Sequence, residues 1–125
     1  MLIFGKKGTK YCNNFGRMFL ECSSLKDIKA LENWNVSNNN NFECMFGECS
    51  SLKDIKALEQ WNVSNSKNFR GMFYGCSSLK DIKLENWNVS NCNNFNGMFG
   101  KCSSLKDIKS LEQWNVSKSL LRYIK

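Results

Sequence analysis

The feature that most constrains this chain is repetition. The stretch Phe42-Glu-Cys-Met-Phe-Gly-Glu-Cys-Ser-Ser-Leu-Lys-Asp-Ile-Lys56 occurs four times with minor edits, the other copies beginning at Phe15, Phe69 and Phe95. Each runs on into Leu-Glu-x-Trp-Asn-Val-Ser. The tryptophans at 34, 61, 87 and 114 are spaced 27, 26 and 27 residues apart. The short interval arises in the third copy, where Lys83 runs directly into Leu84 and the others insert Ala30, Ala57 or Ser110. A period of this length marks units that cannot bury a hydrophobic face alone and must stack on their neighbours. The predicted organisation is a single repeat domain over residues 1–125. It has an N-terminal cap at 1–13, repeats at 14–40, 41–67, 68–93 and 94–117, and a C-terminal cap at 118–125.

Within one repeat the apolar positions are Phe15, Met18, Phe19, Cys22, Leu25, Ile28, Leu31, Trp34 and Val36. The first four follow i, i+3, i+4, i+7, which predicts a short helix. Asn14, Asn41, Asn68 and Asn94 stand where an N-cap belongs, and Gly47, Gly75 and Gly100 stand where a helix would stop. Leu-Lys-Asp-Ile-Lys then reads as a brief strand centred on a β-branched residue, and Trp-Asn-Val-Ser-Asn as a turn. Shifted by one period, Met1-Leu-Ile-Phe4 falls in strand phase. At the other end Leu120, Leu121 and Ile124 are placed to cover the last repeat. The expected fold class is α/β: a leucine-rich-repeat-like right-handed solenoid of four 26–27-residue coils, each with a short parallel strand and a short helix.

The third copy, Leu79-Lys-Asp-Ile-Lys-Leu-Glu-Asn-Trp87, continues through Asn-Val-Ser-Asn-Cys-Asn-Asn-Phe-Asn-Gly-Met-Phe-Gly-Lys-Cys102. It resembles the bacterial surface protein 26-residue repeat, the BspA-like branch of the leucine-rich repeat proteins. The likeness spans about residues 14–117, with Met-Phe-x-x-Cys-Ser-Ser-Leu as its most specific part. Two departures stand out. Three copies carry an extra residue, and the family's valine after Ser-Asn is here Asn39, Ser66 or Cys92. The resemblance implies a stacked parallel-strand solenoid with a non-catalytic role, in a family found on bacterial surfaces and in protists and large DNA viruses of amoebae.

Chemistry is sparse. The chain has no histidine, hence neither the commonest general base nor the commonest metal ligand. No nucleophile has a base and an orienting partner beside it, so no enzyme activity is expected and no cofactor or small-molecule ligand is implied. The column Cys22, Cys49, Cys76, Cys102 lacks the Cys-x-x-Cys pairs of zinc sites and reads as buried reduced thiol. The four Asn-Val-Ser sequons (Asn35, Asn62, Asn88, Asn115) read as turn residues. Met1-Leu-Ile-Phe4 is too short for a signal h-region, and no stretch reaches the length of a membrane span. An intracellular or virion location is therefore expected.

Charge supplies the remaining candidates. The net charge is +7, with +4 in residues 1–17, +3 in residues 117–125 and a balance between. Asp27, Asp54, Asp81 and Asp107 form one repeating column, and Lys29, Lys56, Lys83 and Lys109 another. These stripes either offset one another's repulsion or form a docking face for protein partners or for self-association. The leading expectation is a structural or protein-interaction protein, an assembly component of a virion or cell. One alternative is non-specific nucleic-acid or other polyanion binding through Lys6, Lys7, Lys10, Arg17, Lys118, Arg122 and Lys125. A second is a secreted surface adhesin, which seven free thiols would exclude.

Overall fold

The structure is a computed structural model that describes Thr9 and residues 11–125. The expectation for Met1–Phe4 lies outside the described residues. The four repeats lie one upon another, so that equivalent residues form columns, and the conformation that builds the columns is the β-turn. Phe15–Met18 closes with the Met18 N–H on the Phe15 carbonyl at 3.2 Å, and Phe19–Cys22 closes with Cys22 N–H on Phe19 O at 3.1 Å. The third residue of each turn is left-handed, Arg17 at φ 61° and Glu21 at φ 62°, which marks type II turns. Every repeat does the same. Cys44 and Glu48, Gly71 and Gly75, and Gly97 and Lys101 take these two positions with φ between 53° and 75°.

The N–H groups left over by the turns bind the next repeat. Those of Phe15, Arg17, Phe19 and Glu21 donate to the carbonyls of Asn41, Glu43, Met45 and Gly47 at 2.7–3.0 Å. This overturns the predicted helix. An α-helix sends each N–H to the carbonyl four residues earlier, whereas here alternate N–H groups leave the segment altogether. A run of four-residue turns nonetheless sends Phe42, Met45, Phe46 and Cys49 inward, so its apolar pattern matches that of a helix. The asparagines are not helix caps. Oδ1 of Asn14, Asn41, Asn68 and Asn94 accepts from the N–H two residues on, at Gly16, Glu43, Arg70 and Asn96 (2.8–3.0 Å), an Asx turn.

The predicted strand is also absent. Ile28, Ile55 and Ile108 have φ between −117° and −128° but ψ between 22° and 31°, far from the extended value near +115° to +135°. The preceding aspartate explains the bend. Oδ1 of Asp27, Asp54 and Asp107 takes the N–H of Lys29, Lys56 and Lys109 at 2.8–3.2 Å and turns the chain into a 3-10 helix. These helices are η1 (Lys29–Leu31), η2 (Lys56–Leu58) and η3 (Lys109–Gln113); η4 (Lys118–Leu121) lies near the C-terminus. The third repeat, one residue shorter, has none. Parallel pairing is limited to isolated bridges at Asn14–Asn41, Asn41–Asn68 and Asn68–Asn94. Between residues 11 and 125 there is no β-sheet and no α-helix. The leucine-rich-repeat-like solenoid of strands and helices is therefore replaced by a small single domain of turns and short 3-10 helices.

Its core is a set of ring columns. Phe15, Phe42, Phe69 and Phe95 stack at centroid spacings of 5.5–6.3 Å. Phe19, Phe46, Phe73 and Phe99 stack at 5.3–5.7 Å. The tryptophans lie against the first column at 5.3–5.8 Å, and Nε1 of Trp61, Trp87 and Trp114 donates to the preceding repeat's Leu31, Leu58 and Leu84 carbonyls at 2.8–3.0 Å. Where the resembled family has valine, Asn39 and Ser66 are buried, with the Ser66 hydroxyl donating to Asn39 O at 2.8 Å. At the C-terminal end Gly97 and Phe99 donate to Tyr123 O and Ile124 O, which seats the Ile124 side chain in the core.

Candidate interaction face

Burial of the rings and thiols leaves polar columns outside. Asp27, Asp54, Asp81 and Asp107 are all exposed, as are Lys29, Lys56, Lys83 and Lys109. Because the segment bends, these charges stand at a corner of each repeat rather than on a sheet, with Lys29, Lys56 and Lys109 opening η1, η2 and η3. Three of the aspartates are held by their bond to the lysine N–H, while Asp81, in the repeat without a 3-10 helix, makes none. No carboxylate of one column lies within ion-pair distance of an ammonium of the other. Among the described residues the ion pairs join Glu43 to Arg17 (3.9 Å) and to Arg70 (3.3 Å). Lys26, Asp27, Lys29, Glu32, Asp54 and Lys56 rim a hollow of about 360 Å³ floored by Ile28 and Ala57.

The residues set aside as polyanion contacts are dispersed. Lys118, Arg122 and Lys125 are exposed at the C-terminal end. Arg17 is exposed beside Glu43, while Lys6, Lys7 and Lys10 lie outside the described residues. The Glu43 cluster escaped the sequence reading, although the column Gly16, Glu43, Arg70, Asn96 carries the signal in its opposed charges one period apart.

The thiols sort by depth. Sγ–H of Cys49, Cys76 and Cys102 donates to the carbonyls of Phe19, Phe46 and Phe73 at 3.1–3.2 Å. Burial pushes the Cys49 thiol up to about 12 and Cys102 to about 11, and raises Cys76 as well. Buried Cys92 is likewise raised to about 11, and Cys44 is raised, by desolvation first and by Glu43 second. Thiols held neutral in this way are poor nucleophiles and ligands. Cys22 departs from the predicted buried column and is exposed. All seven cysteines are free. Among the described residues no group of three or more His, Cys, Asp or Glu is gathered to hold a metal ion, and no helix is long and apolar enough to cross a membrane.

Fold and face together define a small turn-stack repeat protein with a charged, grooved exterior. The chain belongs to the family described as "Mycoplasma protein of unknown function, DUF285", whose model matches residues 13–121. No curated protein and no solved structure matches it. The likeness to BspA-like leucine-rich repeats does not hold at the level of fold, because the strand and helix it requires are absent from every described repeat.

Proposed function

We propose that the protein is a non-enzymatic interaction protein that binds a protein partner through the Asp/Lys-striped face. The observation that carries this reading is that eight exposed charges stand in two columns without pairing to one another. If the stripes served only to cancel each other, the carboxylates and ammonium groups would be expected to close into surface pairs, which are weak and easily formed. Unpaired columns one repeat apart instead suit a partner with charges of matching spacing, since complementary charge governs specificity and encounter rate. The alternation of sign disfavours uniform polyanion binding on this face, and the free thiols suit a reducing compartment.

Cross-linking mass spectrometry in the native source tests the reading. Cross-links from Lys29, Lys56, Lys83 or Lys109 to one partner are expected, with binding that weakens as salt rises. The fourfold Lys→Glu variant should lose that partner while keeping its circular dichroism spectrum. Retention of the partner by the variant, or cross-links confined to other surfaces, overturns it.

A further inference from the structure

One residue is missing from the third repeat, and the loss falls on the outside of the stack. Lys83 runs directly into Leu84, where the other copies carry Ala30, Ala57 or Ser110. The core columns nonetheless stay in step. Leu84 and Trp87 are buried like their counterparts, and the indole bonds on either side, from Trp87 Nε1 to Leu58 O and from Trp114 Nε1 to Leu84 O, are both 2.8 Å. What is lost is the corner. The third repeat forms no 3-10 helix, and among the described residues Asp81 accepts no bond of the kind that Asp27, Asp54 and Asp107 take from the lysine two residues on. A hollow of about 620 Å³ opens there, lined by Lys83, Glu85 and Asn86 of the third repeat and by Lys109, Ser110 and Gln113 of the fourth.

The chemistry of this notch differs from that of the hollow between the first and second repeats. The latter sets Lys26, Lys29 and Lys56 against Asp27, Glu32 and Asp54 over a floor of Ile28 and Ala57, so its charges balance. The notch has two lysines to one glutamate, the amides of Asn86 and Gln113, and no apolar side chain. It is net positive and rich in N–H donors. Lys83, Glu85 and Lys109 enter no ion pair among the described residues. Equivalent rings of the third and fourth repeats lie 5.3–5.9 Å apart, and lysines rooted at that spacing reach the two oxygens of a single carboxylate.

We propose that the notch takes an aspartate or glutamate side chain of the protein partner and thereby sets the partner's register along the striped face. The inference rests on the reading of that face as the partner's binding surface. A partner matched to identical columns can slip by one repeat and recover most of its charge pairs, as a regular strand slips where nothing marks its register. Specificity of this kind comes from a penalty on the wrong registers rather than from further attraction. The third repeat supplies the break in the period that imposes one. In register, the carboxylate enters between two ammonium groups and the amide donors. Shifted back one repeat, it meets the η2 corner, which Ala57 fills and which carries Asp54 as well as Lys56.

The full chain is treated with a water-soluble carbodiimide in an extract of its native source. The reagent takes up the water released when an amine and a carboxylate in contact form an amide, and mass spectrometry locates each link. Lys83 and Lys109 are expected to link to one and the same acidic residue of one partner, to which Lys29 and Lys56 do not link. An alanine inserted between Lys83 and Leu84 restores the spacing of the other copies and closes the notch. It is expected to weaken binding of that partner at least about ten-fold with an unchanged thermal melt, and Lys83→Gln/Lys109→Gln to do the same with the backbone untouched. Links from one acidic residue spread over all four lysine positions, or undiminished binding by either variant, overturn the register-setting notch and leave the face standing. If no partner links to the face, both readings fall.

Discussion

Two segments recur in every repeat with equal fidelity, yet the fold treats them in opposite ways. The turn segment, Phe15 to Cys22 and its copies, sends half its N–H groups to the neighbouring repeat and its rings, with the thiols of Cys49, Cys76 and Cys102, into the core. The Leu-Lys-Asp-Ile-Lys segment bends by a bond from a lysine N–H to the aspartate two residues earlier and leaves its charges in water. Repetition alone therefore does not say which segment holds the stack together. Bond direction does: links between repeats are cooperative along the whole chain, whereas an Asx turn stabilises only its own corner.

Alkaline pH should strike the turn segment hardest. A thiol whose pKa is raised by the fold contributes fully below its unfolded value near 9 and loses that contribution as pH climbs toward its folded value. For Cys49 and Cys102 the window runs from about 9 to about 12 and about 11 respectively. Each thiol kept protonated there adds a slope of about 1.4 kcal/mol per pH unit. Denaturant midpoints measured from pH 8 to 11 should fall ever more steeply, and Cys49→Ser should flatten the fall. An unchanged pH profile for that variant would show that the buried thiols are not the cause.

Truncating a ring separates the two segments at fixed pH. Phe46→Ala opens a gap in a column where the ring is fully buried between Phe19 and Phe73, and should cost about 3–5 kcal/mol in urea unfolding. Asp54→Ala, which removes only the bond to Lys56 N–H at 3.2 Å, should cost about 0.5 kcal/mol. Comparable losses from the two would mean that the bend matters as much as the columns.

Backbone substitutions give smaller effects, of both signs. At Gly71 φ is +62° and an added Cβ would meet Cys44 Sγ at 3.0 Å, so Gly71→Ala should destabilise by about 1–2 kcal/mol. Glu21 holds a left-handed position with a side chain in solvent, and Glu21→Gly should stabilise by about 0.5–1 kcal/mol. Thermal melts decide both, and a gain from Gly71→Ala would place the strain elsewhere.

Much of the core was legible. The period assigned Phe, Trp, Leu and Val to the interior, since a residue repeated in phase must meet its own copy in the next coil. The exposed Asp and Lys columns were legible for the same reason. The conformation of the repeat was not. The spacing i, i+3, i+4, i+7 is shared by a helix and by consecutive four-residue turns, and the left-handed positions hold Arg17, Glu21, Cys44, Glu48 and Lys101 as well as glycines, so composition gave no warning. Ile in Leu-Lys-Asp-Ile-Lys suggested a strand, but Asp27 and its copies capture the N–H two residues on before any pairing forms. Period counting treats all repeats alike and so misplaces Cys22, to which no described residue gives the carbonyl that Cys49, Cys76 and Cys102 receive from the repeat before.

What the sequence determined by itself is that equivalent residues form columns and that most of the apolar columns face inward, both consequences of a 26–27-residue period that buries its apolar positions against copies of itself. What the tertiary structure alone decided is where the N–H groups go. An N–H can close a helix, a turn or a bridge to a neighbour at similar local cost, and the choice depends on whether a carbonyl from the next repeat stands within reach. That choice made turns of the expected helices and corners of the expected strands.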